Sequence, residues 1–298
     1  MKYVITGGAG NISRPLAEQL IAAGHTVTVI GRSAQNLEPL TALGAIAAIG
    51  SVEDADFLQQ AFAGADAVYC MVPPSFSITE NWKGHIARIT ENYAKAIRAN
   101  QVKYVVNLSS IGAHMPDGCG PVSGLHRGEL VLNALEGVHV LHLRPGFFYY
   151  NFLSNIPMVK QMNIIGANYG STGKPIVMSH TGDIAAAAFD ALNTLSFTGK
   201  SVRYLASDER TGSEVAAVLG AAIGQPQLPW VVFSNEQALG GMLQAGLPEE
   251  IARNYAEMGN ALETGEMIAD FVLHRPAELG KTKLEQFATT FAAHFQQN

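Results

Sequence analysis

A glycine-rich segment follows the first apolar run of the chain, and it reads Thr6-Gly7-Gly8-Ala9-Gly10-Asn11-Ile12-Ser13. A predicted strand, residues 2–5, precedes it, and a predicted helix, residues 11–23, follows it. Glycine tolerates positive φ and leaves no Cβ in the way of a ligand, and the N-terminus of a helix attracts negative charge. Gly8-x-Gly10-x-x-Ser13 and the overlapping Gly7-x-x-Gly10 therefore indicate a dinucleotide-binding loop, with a purely structural turn as the alternative.

The second predicted strand, residues 26–30, ends in Gly31-Arg32-Ser33 rather than in an acidic residue. NAD-binding proteins usually carry an acid here for the ribose hydroxyls, whereas an arginine pairs with the 2′-phosphate of NADP. The segment therefore favours NADP(H) over NAD(H). The alternative is that Arg32 is an exposed turn residue.

Strand and helix patterns alternate at short intervals through the first half of the chain, which predicts an α/β fold with a doubly wound parallel sheet, the Rossmann arrangement. Strands are predicted at residues 2–5, 26–30, 45–49, 67–72, 104–108 and 138–143. Ser51 and Ser77 are predicted to cap helices, because an acidic residue follows each of them three positions later. The alternation stops after residue 146, so we predict a dinucleotide-binding domain over residues 1–150. Residues 151–298 are predicted to form a smaller, mostly helical lobe that closes a cleft, with some chain returning to the main sheet.

The composition excludes several classes of protein. The 298 residues are 48% hydrophobic and only 15% charged, against about 25% charged in typical soluble domains, which fits strands buried on both faces. The net charge of -6 comes without a basic stripe, so we expect no nucleic-acid partner. Two cysteines are too few for a disulfide framework, and no Cys/His spacing resembles a metal site. The apolar runs are too short for membrane insertion, and nothing resembles a signal peptide, so a cytoplasmic location is expected.

The carboxyl ends of the predicted strands are expected to hold the ligand, as in other open α/β sheets. The predicted cofactor-binding residues from the loop and the strand ends are Gly7, Gly10, Asn11, Ile12, Arg32, Ser33, Met71, Val72, Pro73, Ser109, Gly146 and Phe147. Aromatic residues 147–150 suit a flat apolar acceptor, although such a run also fits a core. Ser109 either bonds the nicotinamide or a substrate, or only caps the following segment.

Three further motifs accompany the glycine-rich loop and the arginine after the second strand: Gly64-Ala65-Asp66, Leu143-Arg144-Pro145-Gly146-Phe147 and Asp183-Ile184. Together, these motifs make the sequence resemble the NmrA-like branch of the atypical short-chain dehydrogenase/reductase superfamily. The resemblance implies a nicotinamide cofactor laid over the carboxyl ends of the strands and a cleft closed by the smaller lobe. It also implies two kinds of function, because members include quinone and isoflavonoid-type reductases as well as regulators that sense the cofactor.

The chain departs from the larger superfamily in its acid–base residues. That superfamily places Tyr and Lys four residues apart before the sixth strand, whereas Val122 and His126 stand here and the chain has no Tyr-x-x-x-Lys pair. His126 either relays a proton near neutral pH or bonds a carbonyl from the helix surface, and the other histidines are expected to be structural. The candidate catalytic residues are therefore His126, Ser109 and the two phenols nearest the predicted mouth, Tyr149 and Tyr150.

Without that pair, hydride transfer from NADPH to a quinone or a similar electrophilic carbonyl compound fits best, since the reduced product takes its protons from solvent or a weak donor. The expected ligand is therefore a small apolar or aromatic substrate. A non-catalytic NADP(H) sensor is the alternative, and a sugar-nucleotide epimerase or dehydratase fits less well because those reactions rely on the missing tyrosine. The sequence leaves open a homodimer or a regulatory protein partner.

Overall fold

The computed structural model describes residues 1–171 and 173–297. Its strands are β1 (Lys2–Ile5), β2 (Thr26–Gly31), β3 (Ile46–Ile49), β4 (Ala67–Cys70), β5 (Tyr104–Leu108), β6 (His139–Pro145), β7 (Phe147–Phe148), β8 (Ile165–Ala167), β9 (Ile176–Ser179), β10 (Lys200–Leu205), β11 (Asp208–Arg210) and β12 (Trp230–Val232). Its α-helices are α1 (Ser13–Ala22), α2 (Ala34–Thr41), α3 (Ala55–Ala61), α4 (Trp82–Ala99), α5 (Pro121–Asn133), α6 (Ile156–Met162), α7 (Thr181–Thr194), α8 (Gly212–Ala222), α9 (Asn235–Gln244), α10 (Glu249–Thr264), α11 (Ala269–Leu273) and α12 (Leu284–Gln297). Two 3₁₀ helices cover Tyr149–Asn155 and Glu266–Ile268.

Seven parallel strands form the central sheet, in the order β3-β2-β1-β4-β5-β6-β10. The order reverses between β1 and β4, which is where ligands bind in doubly wound folds. The predicted α/β Rossmann arrangement is confirmed. The seventh strand, β10, comes from the second half of the chain and pairs with β6.

Both faces of the sheet are buried, because successive side chains of a strand point to opposite sides. In β1, Tyr3 and Ile5 join the core under α1, α2 and α7, whereas Val4 joins the core under α3, α4 and α5. Helices on both faces explain why the strands contain continuous apolar runs and why the chain has few charged residues.

The chain after residue 150 contributes to both parts of the molecule. Helix α7 packs on the central sheet and β10 completes its edge, whereas α6, α8 and α12 enclose a separate core around Phe152 and Phe287. Two small sheets, β11-β9-β7 and β12-β8, accompany these helices. Within residues 1–171 and 173–297, no helix is both long and apolar enough to span a membrane.

Two predicted helix caps were wrong. Helix α3 begins after Asp54, whose Oδ1 accepts hydrogen bonds from the amides of Asp56 and Phe57, so Ser51 lies in the preceding turn. Helix α4 begins after Asn81, whose Oδ1 accepts a bond from the Gly84 amide, so Ser77 lies in the preceding loop. In each case a side-chain oxygen nearer the helix caps the free amides of the first turn.

Candidate functional site

A cavity of about 730 Å³ lies over the carboxyl ends of β1 to β5. One end is bounded by the turns after β2 and β3, and the middle by the glycine-rich loop. The other end is bounded by the segment after β4, by α4, and by residues that follow β7 and open α7. The cavity therefore extends across the point where the strand order reverses.

The glycine-rich loop has no room for a side chain at Gly7. Gly7 has a φ of 93° and Gly8 a φ of 58°, values that favour glycine. A Cβ on Gly7 would lie 2.5 Å from Ser13 Oγ and 3.0 Å from the Met71 side chain. Among the described residues, no side chain caps the N-terminus of α1, and the Arg14 amide bonds the Gly10 carbonyl, so the amides of residues 11–13 are the ones left for a ligand. The loop therefore fits a pyrophosphate.

Arg32 lies at the end of the cavity that adjoins β2 and β3. It is exposed, and it forms no ion pair within the part of the chain that the structure describes. Ser33 Oγ accepts a hydrogen bond from the Asn36 amide and so caps α2. Arg32 and Glu53 are the charged residues of the described cavity wall. A free guanidinium at this position fits a 2′-phosphate.

The opposite end of the cavity is apolar and aromatic. It is lined by Met71, Pro73, Pro74, His85, Ile89, Leu108, Phe148, Tyr150, Asn151 and Thr181, among others. The ring of Tyr150 packs against Phe287 of α12, with ring centroids 5.6 Å apart. This end therefore suits a flat, uncharged ligand, because its described walls carry no charged side chain.

Most of the predicted cofactor residues line the cavity. These are Gly7, Gly10, Asn11, Ile12, Arg32, Ser33, Met71 and Pro73. Four others do not line it, namely Val72, Ser109, Gly146 and Phe147. Val72 packs against the cores on the α4 side, and Phe147 packs against Phe152 and Tyr169. A Cβ on Gly146 would meet the carbonyl oxygen of Val177 at 2.4 Å, so this glycine permits a close contact between backbones and does not contact the cavity.

Ser109, the fourth, belongs to a buried ionic network. Its Oγ donates a hydrogen bond to Glu129 Oε1 at 2.5 Å. Arg144 binds the same carboxylate twice, from Nε at 3.0 Å and from Nη2 at 2.6 Å. The Ser109 hydroxyl proton therefore bonds a carboxylate in the interior, and the structure does not bring it to the cavity as a cofactor or catalytic group.

Of the four predicted catalytic residues, Tyr150 is the one that lines the cavity. His126 bonds the carbonyl oxygen of Ala113 through Nδ1, at 2.9 Å, and lies outside the cavity wall. Tyr149 is fully buried, stacks on Phe287 and donates its hydroxyl to the carbonyl of Thr282. Burial, followed by the nearby Asp208, raises the pKa of Tyr149. Neither side chain is placed to exchange a proton with a ligand in the cavity.

His85 is a cavity residue that the sequence pattern did not single out. It lies in the first turn of α4 and is 7% exposed. Its Nε2 is buried without a hydrogen-bond partner among the described atoms. The available signal was its position on the apolar face of α4, between Trp82, Ile86 and Ile89, where a polar side chain needs a reason.

The doubly wound sheet, the glycine-rich loop and the cavity over the strand ends define a Rossmann fold, the class to which many dinucleotide-binding proteins belong. Residues 7–129 match the model of a family described as NAD(P)H-binding. The chain is 28% identical over 297 residues to an NAD(P)H azoreductase from Xenophilus azovorans, and the alignment covers 98% of each protein.

Solved structures share the whole fold. An NADPH-dependent quinone oxidoreductase from Escherichia coli, complexed with NADPH, superposes with a TM-score of 0.81 at 22% identity, over 97% of this chain and 99% of that one. NmrA, a negative transcriptional regulator in complex with NADP, gives a TM-score of 0.77 at 14% identity, over 99% and 97%. These neighbours share the fold that the resemblance to the NmrA-like branch implies. The chain is therefore similar to NAD(P)H-binding reductases over its length.

Proposed function

We propose that this protein is an NADPH-dependent reductase whose acceptor is a flat, uncharged aromatic compound such as a quinone. The observation that supports this most strongly is the division of the cavity into two ends. A free arginine and an uncapped helix N-terminus serve the phosphates, whereas apolar and aromatic walls face the opposite end.

The residues present would hold the cofactor along the strand ends. The amides of Asn11 and Ile12, which follow Gly10, would bind the pyrophosphate, and Arg32 the 2′-phosphate. Met71 and Pro73 would bound the nicotinamide end. When bound, NADPH supplies a hydride ion to the acceptor. We assign this task to the domain formed by residues 1–150, completed by α7 and β10.

The aromatic segment that joins the two parts of the chain would bind the acceptor and exclude water. Phe148 and Tyr150 follow β6 and line the cavity, as do Pro73 and Pro74 after β4. Hydride transfer to a quinone leaves a stabilised anion, which takes a proton from solvent or from a weak donor. The Tyr150 hydroxyl is the donor candidate in the cavity wall. Such chemistry does not require the Tyr-x-x-x-Lys pair that the chain lacks.

The names of two relatives support an acceptor of this class. One relative is an azoreductase and one fold neighbour is a quinone oxidoreductase. Azo dyes and quinones are both flat conjugated molecules that accept two electrons. The apolar end of the cavity suits the uncharged members of either class, because its described walls hold no charged side chain to neutralise a charge.

A cofactor sensor is the second candidate, because NmrA shares the fold and the chain lacks the Tyr/Lys pair. Purified protein, NADPH and a panel of naphthoquinones, azo dyes and carbonyl compounds discriminate the two. With at least one quinone or azo dye we expect oxidation of NADPH, which is measured as the loss of its absorbance. Tight NADPH binding without oxidation by any member of the panel would favour the sensor.

A further inference from the structure

His85 is a buried histidine whose ring lacks the bonds that normally fix such a side chain. It is 7% exposed, and Nε2 has no hydrogen-bond partner among the described atoms. By contrast, His126 bonds the carbonyl of Ala113, and His142 bonds both Asn107 and Asn133. A buried polar atom without a partner destabilises a protein, so each instance calls for an explanation.

The surroundings of His85 within the protein do not supply that explanation. Its helix neighbours Trp82, Ile86 and Ile89 are buried and apolar, and Trp82 packs edge-on against Tyr255 of α10. Within residues 1–171 and 173–297, the imidazole takes part in no ion pair. An apolar residue would fill this position on α4 without leaving a ring nitrogen unpaired.

The cavity reaches the other nitrogen of the ring. His85 lines it together with Ile89 and with Pro73, Pro74 and Ser75 of the segment after β4. Nε2 is shielded from the cavity, whereas Nδ1 is not among the buried unpartnered atoms and bonds no described residue, so Nδ1 is the nitrogen that can bind a ligand there. Arg32 and the other residues suited to the adenosine phosphate adjoin β2 and β3, further along the sheet. His85 therefore borders the apolar end of the cavity, where the proposed function places the acceptor.

We propose that His85 is an acceptor-binding residue whose ring N–H donates a hydrogen bond to a carbonyl oxygen of the bound quinone. The proposal rests on the proposed function, which it deepens by naming the group that selects the acceptor. A flat acceptor with a hydrogen-bond-accepting oxygen gains a bond that a plain hydrocarbon does not. The imidazole holds the acceptor oxygen and leaves cofactor binding unchanged.

The first test measures binding of 1,4-naphthoquinone to protein loaded with NADP⁺, which cannot reduce it. His85→Leu removes the donor and keeps apolar bulk against Ile86 and Ile89, whereas His85→Gln keeps an N–H donor. We expect His85→Leu to weaken naphthoquinone binding by about 3- to 10-fold and to raise the quinone KM similarly, since a hydrogen bond contributes about this much. His85→Gln should restore most of the affinity, and the Kd of NADPH should not change.

His114→Gln is the matched control, because His114 Nδ1 is also buried and unpartnered but its side chain lies outside the cavity wall. We expect this variant to bind naphthoquinone like the wild type. If the wild type reduces the quinone and His85→Leu binds naphthoquinone with the same affinity as the wild type, the role of His85 is overturned. The proposed reductase function then still stands. A wild type that neither binds nor reduces any quinone would contradict the proposed function, and with it this role.

A second measurement follows the wild-type protein itself and uses a variant only to assign one signal. In the wild-type protein with ¹⁵N-labelled histidine, NADP⁺ is added first and naphthoquinone second. The ring-nitrogen signal of His85, assigned by its absence from the His85→Gln spectrum, should shift when the quinone is added. A signal that moves with NADP⁺ alone and not with the quinone would make His85 a cofactor ligand and overturn the proposal.

Discussion

Gly7 and Ser13 lie so close together that a Cβ on Gly7 would come within 2.5 Å of Ser13 Oγ. Ser13 Oγ donates a hydrogen bond to the Thr6 carbonyl at 2.8 Å, which ties the first turn of α1 back to the end of β1. The hydrogen bond of Ser13 therefore fixes the conformation of the loop that faces the cavity, and this conformation is possible because Gly7 has no side chain.

Gly7→Ala is expected to abolish or strongly weaken NADPH binding, because the new methyl group displaces Ser13 and the loop amides. Gly44→Ala is the control: Gly44 has a similar positive φ of 103°, but nothing lies within 4 Å of its Cβ position. Both variants should lose about 1–2 kcal/mol of stability from backbone strain. NADPH titration by fluorescence checks the difference, and equal affinities in the two variants would contradict it.

Arg32→Gln is expected to weaken NADPH binding by about 10-fold or more and to leave NADH binding unchanged. The reason is the loss of hydrogen bonds between a guanidinium and the 2′-phosphate, each of which contributes about 1.5–3 kcal/mol. Arg14→Gln is the matched control, since Arg14 is exposed and paired with Glu18 at 2.9 Å. Parallel titrations with both nucleotides decide the matter, and a variant that loses affinity for both equally would show that Arg32 does not read the phosphate.

Tyr150→Phe is expected to slow reduction of the acceptor or to raise its KM, because the Tyr150 hydroxyl lies in the cavity wall. Tyr149→Phe should leave both parameters unchanged and cost about 1 kcal/mol of stability, because that hydroxyl bonds the Thr282 carbonyl in the interior. Steady-state kinetics with a naphthoquinone and urea unfolding separate the two effects. The reverse pattern would remove Tyr150 from the site.

The stability of the protein should fall with acidification because of His142. The ring is 1% exposed, its Nε2 donates to Asn133 Oδ1, and its Nδ1 accepts from Asn107 Nδ2. Burial lowers the pKa of His142 to about 4, whereas the unfolded chain takes up this proton near pH 6.5. The unfolded state therefore binds more protons between these values, so this stabilisation is complete above about pH 6.5 and is lost as the pH falls toward 4.

The expected loss is at most about 1.4 kcal/mol per pH unit within that window. Urea unfolding of the wild type and of His142→Gln at pH 7 and pH 5 measures it. The variant should be less stable at pH 7, because it loses ring contacts, and should show the smaller change between the two pH values. Identical slopes would mean that other groups account for the acid sensitivity.

The glycine-rich loop and the parallel sheet were predictable because they depend on local signals. Glycines after a short apolar run specify the turn at Gly7, and alternating strands and helices specify a parallel sheet. Arg32 was also found from its place after β2. Each of these inferences depends on neighbours within a few positions along the chain.

Other residues of the site depend on contacts between distant segments. Ser109 is turned from the cavity by Glu129, twenty positions further along, and Gly146 faces the backbone of β9. In the sequence, His85 is one polar residue on an apolar helix face. The packing of α4 is needed to show that His85 adjoins the cavity. Ends of strands predict where a site lies, but the side that each residue faces is set by tertiary packing.

The most direct test of the proposed function is a single turnover under anaerobic conditions. Protein loaded with one equivalent of NADPH is mixed with excess 1,4-naphthoquinone, and the nicotinamide absorbance and the hydroquinone product are followed together. A reductase should lose the absorbance of the bound NADPH and form one hydroquinone for each NADPH oxidised. If the bound NADPH stays reduced with the naphthoquinone and with every azo dye tried, the protein binds the cofactor without using it, and the account is contradicted.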